Sequence, residues 1–534
     1  MKKFFSKALL SLALVGGLVA CQNKNEAEVP ETPQSMGDTY MSISFSATAP
    51  NGLKATTLKE ESDFNSIGEY MGRDKIENVT VFIVSTDEGT VEFKEFDTAG
   101  VHDVTGQKGT YKTDAWKVAT PGFKDVYVLV NLQNTPIANA LKQAQTKAAF
   151  ETAYAKEYKL TDATGVQALY AKYEKAENKD IIGMNGKSEN SIKVEPGVTK
   201  ETAEAGTKNY AKVAVRRLVA QAAVTQKKGI DLAIKAKRNG VEKTIATLEK
   251  LEWDVMQFEQ QTYLDPMAIS AGKNAMKPQE CKTPSYDFAV TDVDAWTQTG
   301  TGADGKYFYR AFDGEEVKEF ERTGTKEEQV TKIIDTPMKF VTETTHEFGG
   351  KLAKDGGTAA PYTAYRKGNT PYVLVCATIK VDDAAWASTD EKDGYAADKD
   401  IYLGLIDGKF YTDLDKAKAA NVNGAAAAGA PSEKDNVLKY AGGKCYYFAW
   451  LNPDVIDKPI NSPVIRNNIY HVNITAFSKL GFTGNPLNPG TDGPAPDPDE
   501  DTPRPDETLY PVDTHMAVEI SIVNWGVHSY DYGF

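Results

Sequence analysis

Histidine and cysteine are the side chains best able to ligate a metal or attack a substrate, and this 534-residue chain has 5 of the first and 4 of the second. His102, His346, His471, His515 and His528 show no pair at ligand spacing, and neither HExxH nor CxxC occurs. Gly300-Thr-Gly302-Ala-Asp-Gly305-Lys306 has the glycines and lysine of a phosphate loop. That chemistry needs a magnesium-binding hydroxyl next and then a helix N-terminus. Tyr307 stands where the hydroxyl belongs, and Tyr307-Phe308-Tyr309 reads as a strand, so a hairpin turn is the better account. Gly183-Met-Asn-Gly186-Lys187-Ser188 is two residues short of the same spacing. Asp497 to Asp501 alternates with proline and lacks the central glycine of a calcium loop, and the pair Asp292/Asp294 is of a kind an acid-rich chain supplies by chance. The reading is a protein that is not an enzyme, with no cofactor and no metal.

Composition narrows the partners. Lys+Arg 61 against Asp+Glu 75 gives a net charge of −14, which argues against a nucleic-acid backbone as ligand. A mean hydropathy of −0.44 excludes a polytopic membrane protein, and the length suits two or three domains. Lys2, Lys3 and Lys7 precede an apolar run from Ala8 to Leu14, too short for a permanent span, and Leu18-Val19-Ala20-Cys21 resembles the lipobox of bacterial lipoproteins. Residues 1–20 are therefore read as a signal peptide and Cys21 as the lipidated residue. Export leaves Cys281, Cys376 and Cys445, an odd number that cannot form the framework of the fold. Whether two of them pair is open at this level.

The elements that would position any site are mostly strands. Met41, Ile43, Phe45 and Ala47 alternate with Ser42, Ser44 and Ser46, the period of a strand with one apolar face. Val79–Val84, Val126–Leu132, a long Tyr210–Thr225, Tyr372–Lys380, Lys444–Trp450 and Asn468–Phe477 follow. A helical region starts at Pro136, and Phe150, Tyr154 and Tyr158 form a stripe expected to be core. The fold is expected to be mainly β, two tandem β-sandwiches with a few helices, divided at 55–211 and 212–485. Residues 424–430 are read as a low-complexity surface loop.

The chain ends differently. From Pro486 to Pro511 prolines and acids interleave, a composition that neither pairs in a sheet nor buries a core, so 486–534 is read as a spacer followed by a tethered strand. Fully extended, its roughly 27 residues would reach on the order of 80 Å. In the strand, Met516, Val518, Ile520 and Ile522 alternate with Ala517, Glu519 and Ser521, and the first and last strands look able to complete the same open sheet. A strand filling a sheet edge with four such side chains gains, gross, on the order of 10 kcal/mol. Inserted into a neighbour, it would build a head-to-tail filament.

Longer motifs carry a family resemblance. Arg366-Lys-Gly-Asn-Thr-Pro-Tyr-Val-Leu-Val375, Tyr446-Tyr-Phe-Ala-Trp-Leu-Asn-Pro453, Asn461-Ser-Pro-Val-Ile-Arg-Asn-Asn-Ile-Tyr-His471, Lys479-Leu-Gly-Phe482 and Val523-Asn-Trp-Gly-Val-His-Ser-Tyr530 resemble the fimbrillin family of Bacteroidales, within it the major subunits of the short fimbriae of Porphyromonas. The resemblance implies a lipoprotein precursor, anchored by lipid only until processed, with two transthyretin-like β-sandwiches. It further implies a propeptide at 21–54 whose first strand (Met41, Ile43, Phe45, Ala47) is removed by a surface protease. The vacated groove then takes a donor strand, here Met516, Val518, Ile520 and Ile522, from another subunit. The cleavage site maps to Lys54-Ala55, where the related subunits carry Arg. This chain has no Arg before Arg73, so Lys54 is preferred and Arg73 is the alternative. Implied partners are further copies of the chain, fimbrial anchor and tip subunits, the protease, and host or bacterial surface receptors, in support of adhesion and biofilm formation at the outer membrane and cell surface. The competing reading is a monomeric surface lipoprotein or tip adhesin.

Overall fold

The computed structural model describes residues 37–47, 66–70, 72–160, 170–238, 240–275, 277–290, 307–308, 312–349, 361–422, 436–487, 503–510 and 514–525. Cys21, Lys54, Ala55, Asp292, Asp294, Gly300 to Lys306, Gly424 to Ala430, Asp497 to Asp501 and His528 lie outside them.

Strand alternation becomes four principal sheets because each strand hides one apolar face against another sheet. In the N-terminal sandwich one sheet runs Tyr210–Ala214, Thr39–Ser46, Thr110–Thr113, Val101–Asp103, with Trp116–Val118 also on Thr39–Ser46. The facing sheet runs Arg216–Arg217, Met184–Lys187, Gly122–Val130, Asn78–Ser85, Val91–Asp97, with Ile192–Val194 on Gly122–Val130. Met41, Ile43 and Phe45 meet Val79, Val81, Val128 and Val130 in the core between them. The outer face of the second sheet (Phe82, Tyr127, Leu129) is covered by helices Pro136–Gln143 and Lys147–Tyr154.

The C-terminal sandwich repeats the plan. One sheet runs Ser66–Tyr70, Met516–Trp525, Asn468–Phe477, Val219–Lys227, Lys318–Phe320, with Met338–Thr342 on Val219–Lys227. The other runs Ala233–Arg238, Val241–Met256, Tyr372–Val381, Lys444–Trp450, with Glu315–Glu316 on Val241–Met256.

Several expectations are corrected. Tyr210–Thr225 is three strands: Tyr210–Ala214 and Arg216–Arg217 serve the two N-terminal sheets, and Val219–Lys227 opens the C-terminal one. The passage between sandwiches therefore falls at Leu218, and Ser66–Tyr70, assigned to the N-terminal sandwich by the 55–211 boundary, belongs to the C-terminal sandwich. A backbone can leave a sheet without breaking its alternation, so the period gave no sign of the change. Phe150, Tyr154 and Tyr158 share a core cluster as expected, but the helix ends at Tyr154 and Tyr158 lies on strand Glu157–Lys159. Gly183 to Ser188, rejected as a phosphate loop on spacing, contains strand Met184–Lys187. A Cβ on Gly186 would stand 2.1 Å from the Ala214 carbonyl oxygen, so glycine is needed where backbones of the two sheets meet.

Cys281, Cys376 and Cys445 are buried free thiols. Cys376 pairs across the sheet with Tyr446 and Ala377 with Cys445, so the two cysteines sit one register position apart and point to opposite faces. Burial pushes the Cys376 thiol up to about 11.

Candidate assembly site at the two terminal strands

The first strand, Thr39–Ser46, is a central strand. It lies parallel to Tyr210–Ala214 on one side and antiparallel to Thr110–Thr113 and Trp116–Val118 on the other. Met41, Ile43, Phe45 and Ala47 are all buried, and Phe45 stacks on Tyr111 with centroids 5.4 Å apart. The serines on the opposite face are buried as well. Ser42 Oγ donates to the Ala203 carbonyl (2.6 Å) of helix Lys200–Glu204, and Thr113 Oγ1 accepts from the Ile43 amide (3.3 Å). Taking this strand away would strip hydrogen bonds from neighbours on both sides and leave a long apolar groove.

The last strand, Met516–Trp525, was expected to hang free on a spacer. It is instead built into its own C-terminal sandwich, antiparallel to Asn468–Phe477 and parallel to Ser66–Tyr70. Met516, Ile520 and Ile522 enter the core, and Val518 packs against it. The terminal strands thus complete two different sheets, not one. Each nonetheless lies between one parallel and one antiparallel neighbour, with four apolar residues at alternate positions.

The spacer is also shorter than the sequence suggests. Residues 503–510 are stapled to the body: the Lys367 amide donates to the Glu507 carbonyl (2.9 Å), the Gly368 amide to the Pro505 carbonyl (2.8 Å), and Lys367 Nζ meets the Glu507 carboxylate at 2.7 Å. Leu509 is fully buried beside Tyr372 and Leu487. A Cβ on Gly368 would fall 2.6 Å from Pro505, which explains the glycine in the Arg366–Val375 motif. Only the stretch from Leu509 to Thr514, at most about 17 Å, links this staple to the last strand. The residue before the last strand is His515, whose φ of 55° is unusual for a non-glycine residue. His515 is fixed by the Ser478 amide donating to its carbonyl (2.9 Å), by its own Nδ1 on the Leu480 carbonyl (2.9 Å), and by its ring stacked on Phe482 (4.8 Å).

Beneath the last strand lies His471, fully buried, in register with Ser521. Thr225 Oγ1 donates to Asn473 Oδ1 (2.9 Å), so the His471 Nε2–H donates to that hydroxyl (2.8 Å). Burial first, and the Arg322 guanidinium second, push the imidazole down to about 3. It is a neutral strand residue with no ligand role. Among the described residues no group of His, Cys, Asp and Glu could hold a metal ion, and no helix is long and apolar enough to cross a membrane.

Arg73, the alternative cleavage residue, is locked. Its Nε meets Asp180 Oδ2 at 3.0 Å, its guanidinium lies 4.6 Å from the Tyr173 ring centroid, and its carbonyl accepts from the Asp180 amide (3.1 Å). The next residue, Asp74, pairs with the buried Arg217 (3.0 Å), whose amide donates to Asn467 Oδ1 (3.0 Å). Sequence reasoning missed Ser66–Tyr70 and Arg322. A five-residue strand with only Ile67 and Tyr70 as large apolar residues has too short a period to register, and a lone arginine carries no pattern.

Two β-sandwiches, each holding one terminal strand, make a structural scaffold, and the comparisons with known proteins place it among fimbrial subunits. Residues 438–531 match the model described as Major fimbrial subunit protein type IV, Fimbrillin, C-terminal. Two relatives named Minor fimbrium subunit Mfa1, from Porphyromonas gingivalis, are 33% and 32% identical over 559 and 560 residues, each alignment covering 100% of this chain and 99% of the relative. A crystal structure described as a putative cell adhesion protein from Parabacteroides distasonis aligns over 92% of this chain and 100% of its own, at 11% identity and a TM-score of 0.41. The chain belongs to the fimbrillin family, in the group of minor fimbrium subunits, and is not an enzyme.

Proposed function

We propose that this protein is the structural subunit of a cell-surface fimbria that polymerises by strand exchange. It is exported as a precursor lipidated at Cys21. Cleavage between Lys54 and Ala55 frees the first strand, and the groove between Tyr210–Ala214 and Thr110–Thr113 receives Met516 to Trp525 of another copy. The observation that carries this reading is the matched setting of the two strands. A segment already held between a parallel and an antiparallel neighbour in one sheet meets the same pair of directions in the other groove.

The choice of Lys54 is supported by the state of Arg73. A protease must draw several residues into an extended cleft, and around Arg73 that would break the Asp180 and Arg217 contacts. Lys54 falls in the link between the first strand and Ser66, where one cut separates the two. The short Leu509–Thr514 connection requires donor and acceptor copies to abut, because the swinging strand has little slack. Anchor and tip subunits, surface receptors, and roles in adhesion and biofilm formation belong to this reading by kinship with minor fimbrium subunits.

The test uses the strand itself. Ala476 and Ala517 are exposed register partners on neighbouring strands, so the double variant Ala476→Cys/Ala517→Cys can pin the last strand at home. Expected are monomers under oxidising conditions and filaments by electron microscopy after reduction. Filaments from the oxidised, verifiably cross-linked chain would refute strand exchange.

A further inference from the structure

The last strand cannot leave by sliding, because its N-terminal end is held at His515. To be exchanged it must peel from its sheet, the Ile522–Trp525 end included. Ser66–Tyr70 covers that end, pairing Ser66 with Ile522, Gly68 with Val523, Glu69 with Asn524 and Tyr70 with Trp525. Without this short strand Met516–Trp525 would be the sheet's edge, with one ladder to break; with it there are two.

Ser66–Tyr70 is itself well anchored. Beyond Tyr70 the chain enters the Arg73–Asp180 and Asp74–Arg217 ion pairs. On its other side helix Lys326–Ile334 packs so closely that a Cβ on Gly68 would stand 3.0 Å from Val330 Cγ2. Just before that helix, Arg322 reaches over the last strand. Its guanidinium donates to Ser521 Oγ and lies 3.5 Å from the Glu519 carboxylate. Ser521 and Glu519 are on the face opposite Ile520 and Ile522, so one face is held by apolar packing and the other by this arginine.

We infer that Ser66–Tyr70 and Arg322 form a latch on the donor strand that survives proteolysis, and that opening this latch sets the rate of assembly. The inference rests on the strand-exchange reading above. Both latch elements lie C-terminal to Lys54, so a cut there opens the acceptor groove and leaves the donor held. Cleaved subunits then stay folded and monomeric until a neighbour's groove captures a strand that has peeled.

The latch is tested on the full chain after cleavage at Lys54, with Arg322→Ala and Glu519→Ala as separate variants. Glu519 is partly exposed, so its loss leaves the fold intact even where the arginine variant is less stable. Two readouts are taken: hydrogen–deuterium exchange across 519–525 in the cleaved monomer, and the rate of filament growth by light scattering. Each variant is expected to lose protection there and to polymerise faster, on the order of five-fold for one charged contact. Ile67→Ser, which weakens the packing of Ser66–Tyr70, should act in the same direction. Unchanged protection or an unchanged rate in both Arg322→Ala and Glu519→Ala overturns the latch. Absence of polymer from every chain, wild type included, overturns instead the exchange reading on which it rests.

Discussion

The first and last strands are alike in sequence and in the directions of their neighbours, yet they are held in different ways. The first sits at the centre of its sheet, paired on both sides and buried on both faces. The last is flanked on one side by a strand of only five residues, and its polar face is held by one arginine. Under the strand-exchange proposal, removal of the first begins with a covalent, one-way cut, and release of the last is a reversible opening. An assembly that needs both is thereby protected twice, once by chemistry and once by an equilibrium.

The largest effect that can break this comparison is all-or-none. Lys54→Ala is expected to abolish filaments while leaving a folded precursor, and N-terminal sequencing of wild-type filaments should begin at Ala55. Normal polymer from the variant would move the cut elsewhere. A sharper contrast comes from the two cores. Phe45→Ala should lower precursor stability by about 3 to 5 kcal/mol, since it empties a buried aromatic site against Tyr111. Under strand exchange the same substitution should leave assembled filaments unchanged, because a neighbour's strand would have replaced this one. Ile520→Ala, at about 2 to 5 kcal/mol, should weaken monomer and filament alike. Equal effects of Phe45→Ala before and after assembly, measured by denaturant melts, would mean the first strand stays in place.

Acid should act more gently. Burial and, for His471, nearby Arg322 hold His471 and His346 neutral in the folded chain, down from 6.5 to about 3 and about 4. Below pH 6.5 an unfolded chain takes up protons that the folded one refuses. Stability should therefore be full above pH 6.5 and fall as pH drops towards those folded values, by about 1.4 kcal/mol per unit per histidine at most. Urea melts between pH 7 and 5 test this, and His471→Gln should flatten the slope. A slope unchanged by that substitution would mean His471 does not carry it.

Much of the architecture was legible locally. Lys444–Trp450 and Asn468–Phe477 have the boundaries their alternation predicts, Pro136 opens its helix, and the Phe150, Tyr154, Tyr158 stripe is core. The apolar faces of both terminal strands were likewise visible. The prolines and acids from Pro486 onward misled, because composition reports what a segment cannot bury and says nothing of main-chain bonds such as those from Lys367 and Gly368.

The sequence by itself determined which residues alternate, where glycine and proline interrupt, the absence of any matched catalytic set, and membership of a family through its long C-terminal motifs. Those are local properties, set by backbone sterics and by side-chain type. Tertiary structure alone decided which strand pairs with which: that Thr39–Ser46 and Met516–Trp525 fill separate sheets, that Leu218 is the crossing point, and that Ser66–Tyr70 and Arg322 close over the last strand. Pairing is a contest among distant segments for the same hydrogen bonds and the same buried area, and its outcome depends on all competitors at once.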